Sequence, residues 1–275
     1  MKRSYSIRLG IGEGAGWDEA VFDRAIDSMA ETGLDTLHLA FTNAEFKSHP
    51  ELKGPETVEK AKAKEIIGRV RERGIRVIPE VNFSLAHAQW TKDWQYRIGS
   101  PEYYTFCSDL IEEAAEYCGG PEIIHLGLDE ESYWEVCSRD YIVLRNGKKK
   151  WDDFRFLMEC CRKVGARPAA WADIYWLDPV NCAKNVSRDM ILYPWYYGAM
   201  KHKNMQTHEQ WEAWLKANMS SYANHLRYWQ NDDLLELQRR ALTECAAAGY
   251  DVVPCVSICY GCDENAPEVL EWCKS

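Results

Sequence analysis

The sequence predicts an α/β protein that closes as a single (β/α)8 TIM barrel, and three observations lead there. Short apolar runs alternate with amphipathic stretches along the 275 residues, which is the pattern of a buried strand followed by a crossover helix. Eight such units can be read, at spacings that suit this fold. The length is that of one barrel, and no low-complexity segment or linker divides residues 1–275, so one domain is expected.

The elements follow in order. Residues 5–12, YSIRLGIG, form a first strand with Arg8 on the face of Ser6 and Gly10, opposite Ile7, Leu9 and Ile11. An inward arginine requires an anion or hydroxyl partner, supplied either by an ion pair in the barrel or by a ligand. A helix over 17–31, striped by Val21, Ala25 and Met29, stops at Gly33. The second strand, TLHLAF at 36–41, carries His38 between two leucines, where a core role and a ligand contact are both open. A polar loop and a helix over 56–73 lead to the third strand, IRVIPEVNF at 75–83, with Glu80 and Asn82 on one face near its end. A helix over 101–117 precedes IIHLGLDEE at 123–131. There His125, Gly127 and Asp129 share one strand face, and Glu130 breaks the apolar opposite face, so the adjacent acids stand at the strand end or the first loop position.

Beyond the basic run Lys148–Lys150, read as a solvated face, a helix over 152–164 leads to the fifth strand, RPAAWADIYW at 167–176. Trp171, Asp173 and Tyr175 align on it. The sixth strand, MILYPWYYG at 190–198, aligns Tyr193, Trp195 and Tyr197. The last third is read as a helix over 209–217, a weak seventh strand over 223–229 that includes Tyr228 and Trp229, a helix over 232–248 capped by Gly249, and an eighth strand over 251–259.

Composition narrows the function. Hydrophobic residues at 46% and charged residues at 28% fit a folded protein in water. A net charge of −10 argues against nucleic acid and anionic membrane surfaces, which require basic patches. No stretch approaches a membrane span, and Arg8 and Glu13 interrupt the amino-terminal run before a signal-peptide core develops, so a cytoplasmic location is expected. The 11 cysteines are odd in number and scattered through strands and helices, as reduced small hydrophobes are. Cys259 and Cys262 have CxxC spacing without a second pair, so no zinc site or other cofactor is expected. A homo-oligomer is compatible with the sequence.

The 12 tryptophans and 15 tyrosines are many, and several fall at strand ends beside carboxylates. Flat rings stack on pyranose faces while acids, Arg8 and Asn82 can meet hydroxyls, so a carbohydrate is the expected partner.

Two segments carry a family resemblance. HLGLDE at 125–130 resembles the HxGxDE pattern of glycoside hydrolase family 20, the β-N-acetylhexosaminidases. VIPEVNFSLAHAQW at 77–90 resembles another run of that family: Pro79, Glu80 and His87 coincide, Asn82 stands where an aspartate is usual, and Ser84, Leu85 and Ala86 replace a Pro-Gly step. The resemblance runs from the first strand to about the sixth. At the eighth, SICYGCDEN lacks the family's tryptophan before an acid. The resemblance implies a retaining hydrolase of N-acetylglucosaminides or N-acetylgalactosaminides whose nucleophile is the substrate's own acetamido carbonyl. It implies Glu130 as general acid, Asp129 as the group orienting the acetamido N–H and stabilising the oxazolinium, His125 and Glu80 as supporting hydrogen-bond partners, and Arg8 as a holder of sugar hydroxyls. With His38, Asn82, His87, Trp171, Asp173, Tyr175, Trp195, Tyr228 and Trp229 these make the candidate site. Two other readings stay open: a non-catalytic barrel that binds an acetamido sugar, and a metal-dependent sugar isomerase or epimerase with Glu80, His125, Asp129 and Asp173 as oxygen and nitrogen ligands.

Overall fold

The structure, a computed structural model, describes residues 6–12, 18–131, 143–196, 232–256 and 269. The chain divides into two compact units, residues 1–128 with 145–169 and residues 129–144 with 170–275.

The first unit is built on parallel strands in the order β1 (Ser6–Gly10), β2 (Thr36–Ala40), β3 (Arg76–Glu80), β4 (Ile123–His125) and β5 (Arg167–Trp171); the last two residues of β5 belong to the second unit. The register sets Arg8 against His38, Ala40 against Glu80, and Glu80 against His125. Ladder bonds continue beyond the strand ends: the Val81 and Phe83 amides donate to the His125 and Leu126 carbonyls at 2.9 and 3.0 Å, and the Leu126 amide donates to Ala169 at 2.8 Å. β2 is buried throughout, as a parallel strand covered on both faces must be.

Helices occupy the connections. α1 (Glu19–Thr32) starts where the Asp18 carboxylate accepts the Ala20 amide at 2.8 Å and stops at Gly33 with φ 78°, an N-cap and a left-handed C-cap. Its buried stripe is Phe22, Ile26 and Met29. The expected stripe of Val21, Ala25 and Met29 is therefore rotated by one residue, with Val21 51% exposed, because the larger side chains at i, i+4 and i+7 take the core face. α2 (Lys60–Glu72) begins four residues later than the sequence suggests, since Val58 is held in a bridge to Ala44. α3 (Pro101–Tyr117) has the expected bounds, set by the Ser100 cap and Pro101 in the first turn. α4 (Gly147–Lys163) starts earlier than expected because the Asn146 side chain accepts the Gly147 amide, so Lys148–Lys150 form its first turn. Phe106, Leu110 and Ile111 of α3 and Phe154, Leu157 and Cys161 of α4 are among the buried residues of this unit.

In the second unit α5 (Asp173–Trp176) and α6 (Pro179–Asn185) are followed by β6 (Ile191–Tyr193), β7 (Trp195–Tyr196), α7 (Asp232–Ala247), β8 (Asp251–Val252) and β9 (Cys255–Val256). β6 pairs with β8 and β7 with β9, both parallel. The long sixth and eighth strands read from sequence are each broken in two, at Pro194 and Pro254. Proline has no amide to give a ladder; the Pro194 carbonyl still accepts from Cys255 at 2.8 Å. The fifth strand is shorter than expected, ending at Trp171, and Asp173–Trp176 turn into helix. Tyr196, Leu242 and Val269 form a small apolar cluster. The helix over 209–217, the seventh strand with Tyr228 and Trp229, Tyr197, Cys259 and Cys262 lie outside the described residues.

The described cysteines are free thiols, and all but Cys255 are buried. Among the described residues no helix is long and apolar enough to cross a membrane.

Candidate active site

In the first unit the functional candidates gather around β3 and its continuation. The buried Glu80 carboxylate, 1% exposed, receives Arg8 in a two-pronged contact, Nε to Oε2 at 2.7 Å and Nη2 to Oε1 at 3.0 Å. Of the two partners the sequence left open for Arg8, the ion pair is present, and such forked geometry is the strong form of this bond. Arg8 itself remains partly exposed.

His38 and His125 meet edge to face with ring centroids 6.1 Å apart. Burial first, and then the neighbouring His125, push the His38 imidazole down to about 3, so it is neutral at ordinary pH. The His125 Nδ1 accepts the Gly127 amide at 3.2 Å, which puts the proton of the neutral ring on Nε2.

Asn82 is buried, and its Oδ1 accepts the Ser84 amide at 2.8 Å. The same side chain closes on Gly127: a Cβ built there would sit 2.0 Å from Asn82 Oδ1. Only glycine fits this approach, and its φ of 72° is left-handed as well. Leu128 at φ 67° and Glu130 at φ 55° are also left-handed, so the strand alternation that aligned His125, Gly127 and Asp129 ends at Leu126. The expected shared face is replaced by a tight turn carrying both acids beyond the strand. His87 is exposed and directly precedes a 3-10 stretch, Ala88–Tyr96.

The second unit holds the acids. Asp129 and Glu130 are partly exposed, and the Glu130 amide donates to Asp173 Oδ1 at 2.9 Å. Asp173 is fully buried; its Oδ2 accepts the Trp195 indole N–H at 2.6 Å. Burial and then the nearby Asp129 charge raise the Asp173 carboxyl well above the usual range. Three carboxylates thus converge, one of them set in place by a backbone amide and an indole.

Trp171 lies edge-on to Tyr193 at 6.2 Å, and Trp195 edge-on to Trp176 at 5.1 Å. Tyr175 does not join Trp171 and Asp173 on a common face. The helical turn carries it toward α7, where its hydroxyl donates to the Glu244 carbonyl at 3.3 Å and its ring meets Tyr250. A strand reading of ADIYW misses this because alternation at period two and the start of a helical turn differ only after the second residue.

Sequence reasoning also missed Arg145. It is buried and reaches the Phe83 carbonyl, Tyr103 and Asp153. The available signal was Asp153, an acid on the apolar stripe of α4 with Leu157 and Cys160, which requires a cation nearby.

No protein-family model and no curated protein sequence matches the chain. Solved structures do. The fold is shared with glycoside hydrolase family 20 enzymes. The β-N-acetylhexosaminidase from Bacteroides fragilis NCTC 9343 aligns over 91% of this chain and 49% of its own, at 14% identity and a TM-score of 0.57. The GH20 exo-β-N-acetylglucosaminidase from Vibrio harveyi, solved with N-acetylglucosamine, aligns over 92% of this chain and 41% of its own, at 17% identity and 0.57. The GH20 β-N-acetylhexosaminidase from Streptomyces coelicolor A3(2) gives 90%, 47%, 16% and 0.55. The chain spans half or less of the length of these structures, and at such identities the likeness is one of fold.

Proposed function

We propose that the chain is a single (β/α)8 barrel domain that hydrolyses N-acetylhexosaminides with retention, using the substrate's acetamido group as nucleophile. The observation that supports this most is the adjacent pair Asp129–Glu130, set in a left-handed turn just beyond β4, with the Glu130 amide tied to buried Asp173. The fold likeness to family 20 enzymes adds to it.

In this reading the protonated Glu130 carboxyl gives its proton to the glycosidic oxygen as the bond to the anomeric carbon breaks. The acetamido carbonyl oxygen closes on that carbon to form an oxazolinium. Asp129 accepts the acetamido N–H and offsets the positive charge. Water then adds to the anomeric carbon, giving its proton to Glu130, and the ring reopens to the product sugar. Neighbouring acids suit this division of labour because one acts at the leaving oxygen and the other at the acetamido nitrogen. Asp173 takes no proton in the cycle; it holds the Glu130 backbone. Trp171 is a stacking surface for the sugar.

The test is release of nitrophenol from β-N-acetylglucosaminide and β-N-acetylgalactosaminide. Activity that falls at least about a hundredfold in Glu130→Gln, in line with the usual worth of general acid catalysis, supports the assignment. Equal activity in that variant rules out Glu130 as the acid, and binding without cleavage over a broad glycoside panel favours a sugar-binding barrel.

A further inference from the structure

The first unit contains a buried polar network that the chemistry above does not use. The Arg145 side chain is 1% exposed; its Nη1 donates to the Phe83 carbonyl at 3.0 Å, its Nη2 donates to the Tyr103 hydroxyl at 3.2 Å, and its Nε lies 3.4 Å from Asp153 Oδ2. Asp153, equally buried, accepts the Tyr104 hydroxyl through its other oxygen, and Lys149 donates to that hydroxyl at 2.6 Å. A buried ion pair is a weak source of stability, since desolvation offsets most of the attraction. What this one does is geometric.

The Phe83 carbonyl it grips belongs to a buried strap, residues 81–86, that runs on from β3. The same Phe83 donates its amide to Leu126 at 3.0 Å, and the preceding Asn82 closes against Gly127. The strap is therefore held on one side by Arg145 and shapes residues 126–127 on the other. Those residues open the left-handed path into Asp129 and Glu130. Three of the next four backbone positions after Leu126 have positive φ, so rotations of a few degrees at Gly127 displace everything that follows. The chain leaves this unit after Leu128 and re-enters it at Arg145 itself.

We propose that Arg145 is a positioning residue for the acidic pair, fixing the strap against which residues 126–128 take their course into Asp129 and Glu130. The proposal rests on the reading of those two acids as the catalytic groups. It places Arg145 away from substrate, so its removal acts on turnover rather than on sugar binding.

The test uses the full chain in four forms: wild type, Asp153→Asn, Arg145→Lys and Arg145→Met/Asp153→Asn, the last avoiding an abandoned buried carboxylate. Lysine keeps the charge for Asp153 and cannot make the forked contact to Phe83 and Tyr103. Misplacement of about 1 Å can cost about a hundredfold in rate, so kcat on a nitrophenyl N-acetylglucosaminide is expected to fall about tenfold in Arg145→Lys and about a hundredfold in the double variant, with KM within about twofold. Asp153→Asn, which leaves the Phe83 contact, retains kcat within about threefold. Hydrogen–deuterium exchange of the peptide spanning 123–131 is expected to quicken in Arg145→Lys while that of α2 stays as in wild type. If the wild type cleaves no N-acetylhexosaminide, the functional reading fails and exchange alone decides the positioning role. Unchanged exchange at 123–131, a wild-type kcat, or a change in KM alone in folded Arg145→Lys overturns the proposal. Should the double variant not fold, Arg145→Lys decides.

Discussion

Replacing Gly127 by alanine probes the turn that delivers the acids. The added methyl would lie 2.0 Å from Asn82 Oδ1, 2.3 Å from its Cγ and 2.9 Å from its α-carbon, on a residue whose φ is 72°. A left-handed non-glycine residue costs about 1–2 kcal/mol. Overpacking against a buried neighbour adds about 1–3 kcal/mol, while the stiffer unfolded chain returns about 0.4–1 kcal/mol. The net loss is therefore about 2–4 kcal/mol, readable as a shift in urea midpoint at unchanged m-value. Asn82→Ala removes the two closest approaches, those of the side-chain amide, and leaves the crowding by the residue 82 backbone and the torsional strain in place. In that background the penalty of Gly127→Ala should shrink to about 1–2 kcal/mol. A Gly127→Ala protein within about 0.5 kcal/mol of wild type, or one with the same penalty in both backgrounds, would refute the close approach of Asn82 as the constraint.

Three further outcomes are expected. His38, with its imidazole at about 3 in the folded protein, stabilises the fold as a neutral ring; this contribution is whole above an unfolded value of about 6.5 and is lost as pH falls toward 3, amounting to about 3–5 kcal/mol. His38→Gln should lose less stability than wild type between pH 7 and 4 in urea titrations, and parallel profiles would speak against it. Asp173 is raised by burial and by Asp129, so its contribution is whole below the usual carboxylate value of about 3.9 and declines as pH climbs through the raised one. Asp173→Asn should flatten the stability profile on the rising side, and an unaltered slope would contradict the buried carboxyl. Arg8→Met strands Glu80, at 1% exposed, and should cost about 3 kcal/mol; Glu80→Gln in the same chain should recover part of it by thermal melting, and no recovery would mean that the charge pair is not the source.

The strand and helix plan was legible where one physical signal dominated. The fully apolar TLHLA of β2, the Ser100–Pro101 start of α3 and the Gly33 stop of α1 each state their role locally. Breaks were less legible. Pro194 and Pro254 sit inside apolar runs that read as continuous strands, and the turn into helix at Asp173 leaves no mark in side-chain alternation. Of the site, Arg8 and Glu80 were readable as inward charges because a strand face leaves them nowhere else to point. The Trp195–Asp173 bond was not, since it joins residues 22 apart, one at the start of β7 and the other at the start of a helical turn. Arg145 carried no pattern of its own and became visible only through the misplaced acid at Asp153.

The most direct measurement is a crystal complex with an N-acetylglucosamine-derived thiazoline, whose fused ring mimics the oxazolinium. The thiazoline nitrogen is expected within hydrogen-bond reach of the Asp129 carboxylate, and the Glu130 carboxyl on the side where the leaving oxygen would be. A thiazoline bound away from both acids, or none bound at saturating concentration, would contradict it.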